Sequence, residues 1–176
     1  FRRPELLDQA LTHRSAGGRN NERLEYLGDA ALGLVIASAL FERLPDAAEG
    51  DLSRIRSSLV KRETLAQIAR DLGLGRHLRL GSGEMKSGGH RRDSALADAL
   101  EAVFGAIYLD GGLSACEGCI LRLFADRLND LPDAAALKDP KTRLQEYLQS
   151  RQFSLPEYEV TEVRGKEHER QFAVEC

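Results

Sequence analysis

The chain has 176 residues, of which 42% are hydrophobic and 30% charged, and it carries a formal net charge of −3. That length allows one good-sized domain, or one with a small partner, and the composition is ordinary for a soluble protein. No apolar run approaches the roughly 20 residues a membrane span needs, and nothing at the N-terminus has the basic-then-apolar layout of a signal peptide.

The acidic balance argues mildly against nucleic acid, because phosphate binders are usually basic. Residues 1–131 hold 18 basic and 19 acidic side chains, and residues 132–176 hold 7 and 9. Cations bound among the acids would offset part of the excess, so local rather than total charge decides. Cys116, Cys119 and Cys176 are three in number and cannot form a complete set of disulfides. A reducing cytoplasm is the expected compartment.

The chain opens in mid-pattern at Phe1, and Pro4 to about His13 reads as a short helix with Leu6, Leu7, Ala10 and Leu11 on one side. A loop over 16–20 follows, with Asn20 or Asn21 as N-cap of a helix running to about Leu44. Within it Glu22, Glu25 and Asp29 fall within about 60° of one another. Leu24, Leu27, Ala31, Leu34 and Val35 make the core-facing stripe opposite. Three like charges on one face repel unless a cation sits between them. The competing reading is a solvated helix face.

Pro45 ends that helix. Asp51 then caps a helix reaching about Leu72 and stopping at Gly73. Its Arg54, Arg56, Lys61 and Arg62 read either as a solvated face or as partners for phosphate or for the acids. The stretch 80–92 is rich in glycine and base. It suits a loop that brings backbone amides to phosphates, with Lys86, Arg91 and Arg92 adding charge. A plain connector is the alternative.

Asp93 or Ser94 caps the next helix, whose apolar stripe is Leu96, Leu100, Val103 and Ile107. Asp98 and Glu101 share its other face with Ala97, Ala102 and Gly105, a surface small enough for close approach to another helix. Charges hemmed in by small residues are seldom left unpaired. Asp110-Gly111-Gly112 ends this helix, and Ser114 with Glu117 forms the capping box of another to about Leu128. Cys116 and Cys119 have CxxC spacing, but no second Cys or His pair lies nearby, so two small buried residues one turn apart is the simpler reading.

If the two acidic faces meet, they gather four or five carboxylates and no histidine. Such a cluster suits magnesium or manganese and suits iron, zinc or copper poorly. A di-metal carboxylate bundle would need Glu-x-x-His pairs, and none of the four histidines stands three residues after a Glu.

The run Asn21-Glu22-Arg23-Leu24-Glu25-Tyr26-Leu27-Gly28-Asp29 resembles the signature of ribonuclease III, the bacterial endonuclease that cuts double-stranded RNA. Lys86-Ser87-Gly88-Gly89, followed by Leu96-Ala97-Asp98 and Glu101-Ala102, resembles that family's second block. One departure is Tyr26, where the family usually has Phe. The resemblance covers nearly all of residues 1–130 and implies a catalytic domain there. It implies Glu25, Asp29, Asp98 and Glu101 as metal ligands for Mg2+, with Mn2+ able to substitute. Asp29 and Glu101 would carry catalysis, and Glu22 and Glu49 would hold another metal, position RNA or support a homodimer.

Residues 131–138 read as a linker, after which Asp139-Pro140 opens a helix from Lys141 to Arg151 that buries Leu144, Tyr147 and Leu148. Two strand-like runs follow, Tyr158 to Arg164 and Gln171 to Cys176. This order over 139–176 resembles the first part of a double-stranded-RNA-binding domain. The resemblance implies Gln145 and Gln149 in one minor groove and Lys166 and His168 near a second. A third strand and a final helix are missing after Cys176, so the binding half is expected to be incomplete.

The expected fold is mainly α: an all-helical catalytic domain, then a truncated α/β double-stranded-RNA-binding domain. The expected activity is endonucleolytic hydrolysis of double-stranded RNA to 5′-phosphate and 3′-hydroxyl products in rRNA and mRNA maturation. No membrane or small-molecule substrate is implied. A catalytically silent RNA-binding protein is the alternative.

Overall fold

The structure is a computed structural model that describes residues 1–165 and 169–175. Two compact units divide at Leu137/Lys138. The first is helical: α1 (Pro4–Ala10), α2 (Glu22–Arg43), α3 (Glu49–Val60), α4 (Arg62–Asp71), α5 (Ser82–Lys86), α6 (Asp93–Leu123) and α7 (Ala125–Asn129). Its core is built on α2 and α6. Leu32, Ile36 and Leu40 from α2 meet Leu96, Leu100 and Phe104 from α6, and α3 and α4 add Ile55, Leu59, Leu65 and Ile68. A second cluster ties α1 to both long helices through Leu6, Ala10, Leu24, Ala102 and Ala106.

By length and composition α2 and α6 are each apolar enough to cross a membrane, contrary to the sequence-based expectation that no run approaches that length. Their apolarity follows from packing: each is covered on more than one side by other helices of this unit, and a helix hydrophobic over most of its surface belongs in a core or a bilayer.

Three local expectations are corrected. Leu34 is not on the core stripe but 54% exposed, on a face of α2 shared with exposed Tyr26 and Phe41. The single helix expected from Asp51 to Leu72 is two, starting at Glu49 and broken at Lys61, whose backbone is extended (φ −65°, ψ 154°). On one continuous helix Leu59 and Leu65 would point about 120° apart; the break lets both reach the core. The glycine-rich stretch is not a plain loop, since α5 and a short 3-10 turn, Gly89–Arg91, occupy it.

The expected stop at Gly112 takes the form of a kink inside α6, with φ 78° in a region that glycine adopts without strain. Beyond it Cys116 is fully buried and its Sγ donates to the Phe104 carbonyl at 3.4 Å. Burial pushes this thiol up to about 11. Cys116 and Cys119 are free thiols, as two small helix residues one turn apart would be.

The segment expected as a linker packs Leu131, Ala134 and Leu137 against the core of the first unit. The second unit holds α8 (Pro140–Ser150), capped by the Asp139 side chain at the Lys141 and Thr142 amides, and the antiparallel pair β1 (Glu159–Arg164) and β2 (Gln171–Glu175). Leu144 and Tyr147 are not buried as expected but 38% and 50% exposed.

Candidate metal and nuclease centre

The α2–α6 contact is close because two glycines form it. A Cβ on Gly28 would lie 1.7 Å from the Glu101 carbonyl oxygen, and one on Gly105 would lie 2.2 Å from that of Leu24. This proximity carries the acidic faces of the two helices together. Among the described residues, Glu25, Asp98 and Glu101 each offer a carboxylate oxygen, and the three oxygens lie within 4.8 Å of one another.

All three side chains are partly buried. Burial, reinforced by the charges of Asp29, Glu25 and Asp98, pushes Glu101 up to about 8. Burial raises Glu25 too, with Asp98 and Glu22 adding repulsion. Asp98 is raised by burial, against the opposing pull of Arg62, His13 and Arg14. A half-buried trio of mutually repelling carboxylates, with no sulfur or nitrogen donor, fits a hard divalent cation held by oxygen.

The remaining predicted site residues lie outside this trio, at differing distances from it. Asp29 is exposed beside this trio, its charge felt by Glu101 and Glu25, but it contributes no oxygen to the three-carboxylate cluster. Glu22 is exposed, lies 3.7 Å from Arg14 and lines the same cleft as Glu25 and Asp98. Glu49 lines a different cavity of about 440 Å3, with Phe41, Leu52 and Arg56. Of the basic residues on α3 and α4, Arg54 bonds Asp51 at 2.5 Å, whereas Arg62 is the one whose charge reaches Asp98 and Glu101. On α8, Gln145 is partly buried and Gln149 exposed. Lys166 and His168 lie outside the described residues.

Sequence reasoning missed three residues of this cleft. His13, Arg14 and Ser15 line it together with Glu22, Glu25 and Asp98, and Arg92, expected from the sequence to add charge for phosphate, lines it too while pairing with Glu84 at 2.5 Å. Periodicity gives no signal for residues that sit in a turn.

A family model described as ribonuclease-III-like matches residues 3–128. The chain belongs to the ribonuclease III family. A "Ribonuclease 3" from Alkalilimnicola ehrlichii is 62% identical over all of this chain and 77% of its own length, and one from Nitrosococcus oceani is 59% identical over all of this chain and 76% of its own. The nuclease domain of ribonuclease III from Campylobacter jejuni superposes with a TM-score of 0.70 at 44% identity, covering 72% of this chain and 89% of that one; its description names a flexible region involved in dimer formation. Dicer from Pichia stipitis aligns with 98% of this chain and 79% of its own, at 25% identity and a TM-score of 0.58. Membership makes this a ribonuclease III-type endonuclease, and it puts the signature run on α2 and the second block on α5 and α6.

Proposed function

We propose that this ribonuclease III-type chain is a magnesium-dependent endonuclease that hydrolyses double-stranded RNA to 5′-phosphate and 3′-hydroxyl ends, and that it matures rRNA and mRNA in the cytoplasm. The observation that carries the reading is the meeting of the Glu25, Asp98 and Glu101 carboxylates within 4.8 Å. Those three would hold the ion, with Asp29 beside them as a further ligand or as a base for water in the same shell. When bound, a divalent cation there lowers the pKa of its water and neutralises charge on the reacting phosphate.

The chain's own residues do the rest. Arg62 offsets the negative charge around Asp98 and Glu101, which eases the approach of an anionic strand. Gly28 and Gly105 keep the two acid-bearing backbones in register. In the second unit, the exposed Gln149 and its neighbour Gln145 one turn before are suited to hydrogen bonding in a minor groove.

A homodimer is part of the proposal. Tyr26, Leu34 and Phe41 are 81%, 54% and 72% exposed within about 80° of one another on α2, and large apolar side chains exposed together on one helix face suit an interface. The cavity lined by Phe41, Glu49 and Arg56 adjoins that face, so a second copy seated there would bring Glu49 into an interface. The motif acids are all present and three of them converge, which favours catalysis over a silent RNA-binding role.

The deciding experiment incubates the protein with a long RNA duplex with and without magnesium, with the single strand and a DNA duplex as controls. Magnesium-dependent shortening of the RNA duplex alone, with products that accept 5′ dephosphorylation, is the expected result. Equal cutting of single-stranded RNA, or none at all, overturns the proposal.

A further inference from the structure

The cleft beside the carboxylates, with a volume of about 610 Å3, has a lining of mixed charge. Glu22, Glu25 and Asp98 line it together with donors from the turn before α2. We propose that His13, with Arg14 beside it, is a phosphate-holding subsite that grips the backbone of the RNA strand lying across the carboxylate cluster. The proposal rests on the nuclease reading above and adds to it the residues that hold the strand.

The turn is fastened on several sides. The Arg79 amide donates to the Leu11 carbonyl at 2.8 Å and the His13 amide to the Arg79 carbonyl at 3.0 Å. The Asn21 amide donates to the Thr12 carbonyl at 2.9 Å, and the Gly81 amide donates to Ser15 Oγ at 2.9 Å. A side chain on so anchored a backbone is held ready for a ligand, and little ordering remains to oppose binding.

The His13 ring is then oriented by its own turn. Its Nδ1 accepts from the Ser15 amide at 3.1 Å and lies 2.8 Å from Ser15 Oγ. Because Oγ already accepts from Gly81, its hydroxyl hydrogen is available to Nδ1. An Nδ1 that accepts leaves the ring proton on Nε2, so the group His13 can offer in the cleft is a donor. A donor suits an anion and not a cation.

The surroundings agree with this. His13 and Arg14 line the same cleft as Glu25 and Asp98, and the Arg14 charge acts on Asp98. Arg14 meets Glu22 only at 3.7 Å, with both side chains largely in water, a contact readily exchanged for a phosphate. Asn21 also lines the cleft, is 2% exposed, and its Nδ2 has no protein partner among the described residues. A phosphodiester presents oxygens that accept hydrogen bonds and one negative charge, and such backbone contacts fix strand register.

The test must separate a ligand-binding histidine from one that merely caps its turn. His13→Asn keeps an acceptor for the Ser15 amide and lacks a donor at the reach of Nε2. Duplex binding is measured on the full chain in calcium, with RNAs carrying a single neutral methylphosphonate at successive positions of one strand. The expected result for His13→Asn is an unchanged melting temperature and about tenfold weaker binding, as loss of one hydrogen bond to a charged group predicts. One methylphosphonate position should weaken the wild type and leave the variant unaffected. Arg14 is 72% exposed in its side chain, so Arg14→Ala should fold normally and lower the slope of log affinity against log salt by about 0.9. Wild-type affinity in both variants, or a methylphosphonate profile in His13→Asn that matches the wild type, overturns the subsite while leaving the nuclease reading standing. A wild-type chain that neither binds nor cuts duplex RNA removes both.

Discussion

Gly28 on α2 and Gly105 on α6 face each other so closely that a Cβ on Gly28 would lie 2.9 Å from the Gly105 amide nitrogen and a Cβ on Gly105 3.1 Å from that of Gly28. Four residues before Gly105, on the next turn of α6, stands Glu101, and three before Gly28 stands Glu25. The carboxylate cluster therefore depends on backbone contact between the helices that carry it.

Gly28→Ala should part the helices. The added methyl falls 1.7 Å from a backbone oxygen, and overpacking costs about 1–3 kcal/mol or more. That outweighs the gain of up to about 1 kcal/mol from replacing a helical glycine. A fall in melting temperature of about 5 °C or more is expected by calorimetry, with loss of cleavage. A variant that melts at or above the wild-type temperature contradicts the contact.

Glu101→Gln should bind duplex RNA with near-normal affinity and fail to cut it, since the cage keeps its shape and loses a charge. Binding is read by mobility shift in calcium and cleavage by gel in magnesium. Near-normal cleavage rates would remove Glu101 from the site.

The same carboxyl makes a pH prediction for the metal-free protein. Glu101 is pushed up to about 8 from an ordinary value of 4.5, so between those limits the folded chain holds a proton that the unfolded chain has released. Stability contributed by the protonated form is complete below about 4.5 and declines as pH rises to about 8. In the presence of a chelator, Glu101→Gln should therefore melt higher than wild type at pH 8.5, and the gap should close toward pH 5. A constant gap across that range counts against the shift.

Calcium should support duplex binding but not cutting, because it is larger and coordinates more loosely than magnesium. Brisk calcium-driven cleavage would contradict the proposed need for a tightly held ion.

Leu34→Glu should turn a dimer into a monomer. The residue is 54% exposed, so the folded chain tolerates the charge, while a second copy would have to bury it unpaired. Sedimentation equilibrium giving the same mass as wild type would move the interface elsewhere.

Much of this protein is set by local chemistry that one strand of sequence displays. Periodicity marks α2 and the first part of α6, Gly112 marks the kink, Asp139 marks the cap of α8, and the acid spacing puts Glu22, Glu25 and Asp29 on one side of one helix. Partner choice between helices is not local. Tertiary packing decided that Leu34 faces outward and that the chain breaks at Lys61 to bury Leu59 and Leu65. It also chose which acids converge. Glu25, Asp98 and Glu101 meet because Gly28 and Gly105 touch, whereas Asp29 stands at the edge and Glu49 lines another cavity. His13 and Arg14 join the cleft through hydrogen bonds to residues near 80, a long-range closure to which no helical or strand period corresponds.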